Sequence, residues 1–400
     1  MLIDLSLELW LGGFNEKAFE LLNLCNEPFP LLDYYRAFYS GDKAYLENAF
    51  SDSPYCCFPN RIEDIAVLEY AINNNNADFK APYYLGCLYF DKERHEDAVK
   101  CFEMSIERGA DFATPYRNLA LLEYNVQQST DEALTLMKRA YALDESDARI
   151  LYELDLLKKR MGVSPKERLA FLESRFDIVN LRDDLTLEYI TLLNLAGYYQ
   201  KALNMIMGRR FHPWEGGEGK APEQYIFSNI ALGTPEKTFI YPENLGEGKL
   251  YGAQENRQNY YMGLKTEDVA YFEKASAGLS EPASAMYYND QPPETIFYQG
   301  MSLLKLGRTD EANERFDKLI NYADRHINDE IRIDYFAVSL PDLLVFDENL
   351  NIKNQLHCLF MKALGLYGKG EKEQSKKLFE KAIGINPNTF QIATHYNLLF

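Results

Sequence analysis

Basic charge is scarce in this sequence. Lysine and arginine number 42 against 61 aspartates and glutamates, which leaves a net charge of −19 and a pI near 4.8. The cations are scattered without a basic stripe, so the chain repels phosphate backbones and anionic headgroups. Nucleic acid and membrane surfaces are therefore not expected partners. Cysteine is also sparse, with Cys25, Cys56, Cys57, Cys87, Cys101 and Cys358 spread over 400 residues. None has CxxC spacing, and so few in so long a chain do not make a disulfide framework. Cys87 and Cys101 fall on helix faces and read as buried small hydrophobes. The neighbours Cys56 and Cys57 are the one pair that hints at metal or redox chemistry. The five histidines are dispersed, with no HExxH, so zinc has no support. EF-hand spacing is missing too, and a calcium site would have to come from Glu218, Glu247 and loop carbonyls. No cofactor is expected. No apolar run is long enough to span a bilayer. The first basic residue is Lys17, behind Asp4 and Glu8, which is not a signal peptide. Taken alone, the chain reads as cytoplasmic.

What is abundant is a repeat. In YYLGCLYFDKERHEDAVKCFEMSI, residues 83–106, Leu85, Gly86, Tyr89, Ala98, Phe102 and Ser105 fall on the small and large positions of a tetratricopeptide helix pair. Ala120 follows Gly86 by 34 residues, and its second helix brings Ala133, Met137 and Ala140. The spacing returns in residues 297–320 with Gly300, Leu303, Ala312, Phe316 and Leu319. It returns again in 360–387 with Ala363, Ser375, Phe379 and Ala382, and more weakly in 191–206 with Ala202. Small residues let two helices approach, aromatics fill the gap to the next pair, and each pair leaves an apolar face for its neighbour. The expected fold is all-α, a tetratricopeptide-type helical-repeat solenoid with a concave face. Most of the 29 tyrosines are expected in its core. A helix pair already begins with Ser6 and Ala18 and has no polar cap ahead of it, so a preceding domain is expected to cover it.

Between Ile206 and Phe297 the period is lost. Four prolines, Pro213, Pro222, Pro235 and Pro242, and repeated glycines break continuous helix, with one helix expected around 265–279. The expected organisation is N-terminal repeats over 1–208, a loop-rich insertion over 209–296 and C-terminal repeats over 297–400. The insertion carries Gly-Glu-Gly-Lys twice, at 217–220 and 246–249. Neither copy is a phosphate loop. GxxxxGK[ST] would need a glycine where Trp214 and Glu243 stand and a hydroxyl where Ala221 and Leu250 stand.

The segments HPWEGGEGK, YPENLGEGKLYGAQEN, YYNDQPPETIFYQG, DYFAVSLPDLLVF and CFPNRIED together resemble the C-terminal half of the bacterial DUF5107-type family. There a β-sandwich domain, similar to galactose-mutarotase folds, precedes tetratricopeptide repeats. The sandwich is absent from this sequence. The resemblance implies a non-catalytic scaffold that docks a partner domain, the sandwich foremost, through its concave face and loops.

The alternative is a carbohydrate-related protein whose loops line a sugar pocket. Trp214, Tyr251, Tyr260 and Tyr261 would offer ring faces, and His212, Glu215, Glu218, Glu247, Gln254, Glu255, Asn256 and Arg257 polar contacts. Glycoside hydrolysis would further need two carboxyls about 5–5.5 Å or about 6.5–9.5 Å apart. If instead the loops are struts, Glu215 and Glu218 should pair with Arg209, Arg210 or Lys220. A third reading is a peptide adaptor using only the groove. His357–Cys358 reads as a packed helix position rather than a dyad. The two glycine-rich loops are expected to meet in space, with Lys220, Lys249 or Arg257 between their carboxylates.

Overall fold

A computed structural model describes residues 2–214, 217–250, 252–284, 291–332 and 345–400. Among these residues the chain forms 22 α-helices and two short 3-10 helices, without a strand. They gather into two compact units, Met1–Ile150 and Leu151–Phe400.

The repeat register follows from one packing device. On the second helix of each pair the buried residues run along one face at helical spacing. They are Ala98, Phe102 and Ser105 on His95–Glu107, Ala133, Met137 and Ala140 on Thr130–Leu143, Ala312, Phe316 and Leu319 on Thr309–His326, and Ser375, Phe379 and Ala382 on Lys372–Ile385. All twelve have 0% exposure. In two of these pairs the opposing first helix has given up a Cβ. On Lys80–Asp91, a Cβ at Gly86 would lie 2.8 Å from the Phe102 ring. On Pro293–Lys305, one at Gly300 would lie 2.4 Å from Phe316, and on Leu350–Gly368 one at Gly368 would lie 2.2 Å from the same ring. Phe316 is thus held by its own pair and by the next.

The segment expected to be loop-rich contains three α-helices: Lys220–Ala231, Asn256–Thr266 and Val269–Ser276. Only the last matches the helix expected around 265–279. The other two are largely buried segments that Gly and Pro punctuation conceals. Pro222 sits in a first turn, where its missing N–H costs nothing. Asn256–Thr266 and Val269–Ser276 form a short pair with the same device, because a Cβ at Gly263 would lie 2.7 Å from the Phe272 ring. Asp268 caps its second helix by accepting from Ala270 N–H at 2.9 Å.

Unit 2 also departs from a simple stack, in which each repeat touches only its neighbours. Its last helix, Phe390–Leu399, belongs to a segment that reaches far back along the chain. Asn388 accepts from Arg168 at 2.9 Å and donates to the Val163 carbonyl at 3.0 Å. Phe390 meets Phe227 at 5.1 Å between ring centres. Arg168 itself is buried and bridges Asp155 and Glu188, a network satisfied on every side, as buried charge requires.

The remaining cysteines are ordinary. Cys101, Cys57 and Cys358 are buried and Cys87 half-buried, so Cys87 is less enclosed than its spacing implied. Burial pushes the Cys57, Cys87 and Cys101 thiols up to about 12, which removes the thiolate that reactivity needs. Cys358 is packed in its helix, and His357 Nε2 lies 2.9 Å from the Ala283 carbonyl oxygen. No group of three His, Cys, Asp or Glu among the described residues could hold a metal, and none of their helices is long and apolar enough to cross a membrane.

Gly300→Ala forces a Cβ into the ring seat of Phe316, and Ala312→Phe forces a ring into the fully buried face one turn before it. Overpacking of this kind costs about 1–3 kcal/mol, and both variants should melt at clearly lower temperature than the parent. Unchanged melting of either would place the register elsewhere.

Candidate functional site

The two glycine-rich loops meet. Leaving helix Tyr199–Met207, the chain turns so that Phe211 N–H donates to the Asn244 carbonyl at 2.8 Å. Asn244 Nδ2 in turn donates to the carbonyls of Ile206 and Arg209 at 2.7 and 2.8 Å. Gly246 has φ +75°, and a Cβ there would fall 2.2 Å from the Phe211 oxygen, so only glycine fits this crossing. From the other copy, Gly219 N–H donates to Glu247 Oε2 at 2.8 Å. Gly219 is the N-cap of helix Lys220–Ala231, so Glu247 supplies a carboxylate where unpaired N–H groups and the helix dipole favour one.

His212, Trp214, Glu255, Asn256 and Arg257, also singled out by sequence, each meet a partner within the chain. His212 is exposed, and both its N–H and its Nδ1 lie against Asp183, at 2.8 and 3.0 Å. The Trp214 ring lies directly over Gly217, where a Cβ would come within 2.1 Å of it, and Lys220 Nζ stands 5.8 Å from its centroid. Glu215 lies outside the described residues, as do Tyr251 and most of the DYFAVSLPDLLVF segment. Glu218 and Gln254 are exposed. Glu255 pairs with Lys249. Asn256 is buried and donates to the Ala275 and Ala277 carbonyls, both at 2.7 Å, which closes the end of helix Val269–Ser276. Arg257 grips Glu223 with both terminal nitrogens, at 3.0 and 2.8 Å.

Two expectations change. Arg209 binds Asp183 and the Asn180 carbonyl rather than a glycine-loop glutamate, because Asp183 opens the preceding first helix directly beneath it. Tyr260 offers no free ring face. It is buried among Tyr261, Phe272 and Tyr298, since its position on Asn256–Thr266 faces the next pair.

Sequence reading missed the partners of Arg257. Glu223 comes from helix Lys220–Ala231 and Glu294 from Pro293–Lys305, 34 and 37 residues away in sequence, about one repeat period on either side, a signal that the lost period of the segment concealed. Burial would raise the Glu223 carboxyl, but the Arg257 guanidinium outweighs it and holds the group below its usual range. Glu294 is 8% exposed and its Oε2 has no hydrogen-bond partner. Burial pushes it up to about 7, against the pull of Arg257 and with the push of Glu223. Nearby, His395 on the C-terminal helix is buried. Its Nε2 lies 3.2 Å from the Tyr298 hydroxyl and its Nδ1 2.7 Å from the Gln391 carbonyl, a neutral arrangement in which the ring accepts from Tyr298. Burial, then Arg257, lower it to about 4. Tyr241 lies within electrostatic reach of Glu223, Glu255, Arg257 and Glu247, so the crossing loops border this cluster.

These shifts work in opposite directions. Glu294 keeps its proton in the folded state up to about pH 7 but loses it near 4.5 when unfolded, so its contribution to stability falls as pH rises through that window. His395 contributes stability that is present above 6.5 and lost as pH falls towards 4. Glu294→Gln should therefore leave stability near pH 4 unchanged and raise it at pH 8, by roughly 2–3 kcal/mol at most. Urea titrations of both proteins at the two pH values measure this. Equal differences at both would show that Glu294 does not titrate in the fold.

Profiles of the tetratricopeptide repeat family match residues 294–324 and 356–389. Among solved structures, the chain is similar to YrrB, a TPR protein with an unusual peptide-binding site. That match has 19% identity and a TM-score of 0.32, and covers 55% of this chain and 97% of that one. A tetratricopeptide repeat protein from Parabacteroides merdae ATCC 43184 is matched at 12% identity and a TM-score of 0.25, over 92% of this chain and 98% of that one. The first profile covers the pair built on Gly300 and Phe316, and the second the pair built on Phe379 and Ala382. The chain is a tetratricopeptide-repeat-containing protein with an all-α fold.

Proposed function

We propose that this chain is a non-catalytic interaction scaffold that docks a partner protein domain on the surface of its crossed loops. The observation that carries this reading is the contrast between the inside and the outside of the insertion. Inside, Asn244, Glu247, Asn256 and Arg257 are committed to backbone and side-chain partners within the chain. Outside, Ile240 and Leu250 stand 80% and 78% exposed. They follow two residues that already touch, since Lys249 Nζ reaches the Phe239 carbonyl at 3.4 Å. A polar frame that carries exposed apolar side chains into water is suited to protein contact, where a few anchors supply most of the affinity. The partner implied by the resemblance is a mutarotase-like β-sandwich domain, acting in cis or supplied by another chain.

The sugar-pocket alternative draws less support. Its principal ring, Trp214, is stacked on Gly217 and faced by Lys220, and most of its polar contacts are engaged within the chain.

A sandwich domain of the resembled family, added to the full chain, should bind with an affinity that calorimetry can follow. Ile240→Asp together with Leu250→Asp should weaken binding at least about tenfold, with melting temperature unchanged because both side chains lie outside the core. Undiminished binding by that double variant would move the docking surface off the loops.

A further inference from the structure

The C-terminal helix fills a place that a repeat array leaves open. Phe390–Leu399 has ten residues and is about 15 Å long, yet it touches the leading helix of four pairs. It packs on Asp183–Leu195, and Phe390 meets Phe227 of Lys220–Ala231. His395 meets Tyr298 of Pro293–Lys305 and Phe360 of Leu350–Gly368, with ring centres 5.8 and 5.2 Å apart. Four leading helices reached by one short helix must face a common hollow, the kind of concave surface that repeat arrays use for binding. Phe390, Ile392 and His395 are all buried. Helical positions turn by about 100° per residue, so Phe390 and Ile392 point to nearly opposite sides. The helix is enclosed in the hollow rather than laid along a surface.

Its two ends are held differently. Tyr396 and Phe400 pack on Phe379 and Tyr367 of the pair immediately before it. Asn388, Phe390 and His395 instead reach across to Arg168 and Val163, Phe227 and Tyr298, contacts that a stack of neighbours does not supply. The far contacts can part without stranding the groups they leave. Arg168 keeps Asp155 and Glu188, so no buried charge loses its partner. Phe227 keeps Tyr199, 5.8 Å away between ring centres, and Tyr298 keeps Tyr260 and Tyr261. Arg160 and Glu348, 2.5 Å apart, still tie the start of the unit to the segment before Leu350–Gly368.

We propose that residues 388–395 are a clasp over a helix-binding groove of unit 2, and that the groove's external ligand is a partner protein's helix with the same Asn-x-Phe-x-Ile-x-x-His pattern. The asparagine answers Arg168 and the Val163 carbonyl, the phenyl ring takes the seat on Phe227, and the histidine accepts from the Tyr298 hydroxyl. While the clasp is seated, it lowers the apparent affinity for such a helix by the fraction of time the groove stands open. This surface is separate from the crossed loops and does not rest on docking there.

The probe is a fluorescein-labelled peptide with the sequence of residues 386–400, titrated into the full chain and followed by fluorescence anisotropy. Asn388→Ala together with Phe390→Ala loosens the clasp, and that variant should bind the peptide at least about tenfold more tightly than the parent does. A peptide carrying the same two substitutions should bind neither protein. Equal affinity of parent and variant for the unaltered peptide, or no binding by the folded variant, overturns the proposal. Native-state hydrogen exchange of the parent decides independently of how the variant folds. Amides of Phe390–Leu399 should exchange through an opening that leaves Pro293–Lys305 protected. Exchange of both helices only in one common unfolding would make the C-terminal helix a permanent part of the core and overturn the clasp. Ile240→Asp with Leu250→Asp should leave the peptide result unchanged, which separates failure here from failure of docking on the loops.

Discussion

A phenyl ring seated against a helix that lacks a Cβ is the contact on which the repeats depend. Phe102 on Gly86 and Phe316 on Gly300 bring the two helices of a pair closer than any larger side chain would allow. That approach turns the flanking residues, Ala98 and Ser105 or Ala312 and Leu319, into fully buried contacts. Phe316 extends the device to Gly368 of the following pair, so one ring sets both the spacing within a pair and the spacing between pairs. The insertion obeys the same rule with Gly263 and Phe272.

Apolar packing alone does not shape the insertion, however. Its chain runs through turns whose backbone groups cannot all find helical partners, and several are met by side chains brought from a distance. Asn244 serves two carbonyls below it, Asn256 serves two at the end of the next helix, and Glu247 serves the helix start at Gly219. Glycine at 246 is required by backbone contact and by its positive φ. These are the features that made the segment conspicuous in sequence. They are the costs of crossing two loops tightly, and the crossing is what presents Ile240 and Leu250 to solvent.

Much of the fold was legible in the sequence because its rule is local. Gly86 and Phe102, or Gly300 and Phe316, sit sixteen residues apart, and that interval survives any reading frame. The pair of Gly263 and Phe272 was missed because its helices are short and the interval shrinks to nine. The meeting of the glycine loops was legible from their shared motif and short separation, and so was the need for nearby cations. The partners of those cations were not. Arg257 finds Glu223, and Glu294 joins them, only because three helices from different pairs converge. The spacing of 223, 257 and 294, 34 and then 37 residues, is close to one repeat period, but the broken helix pattern of the segment hid it. The reach of the C-terminal segment back to Arg168 and Phe227 was hidden for the same reason: a solenoid rule predicts only adjacent contacts.

The helix pair 256–276 packs as one body with the repeat after it and carries the loop frame. Native-state hydrogen exchange of the full chain tests this most directly. Amides of Asn256–Thr266 and Val269–Ser276 should be protected to about the same degree as those of Pro293–Lys305 and should open together with them, since Phe272 and Tyr260 share one core with Phe297 and Phe316. Exchange of residues 256–276 far ahead of residues 293–305, at the rate of an unpacked loop, would contradict the account.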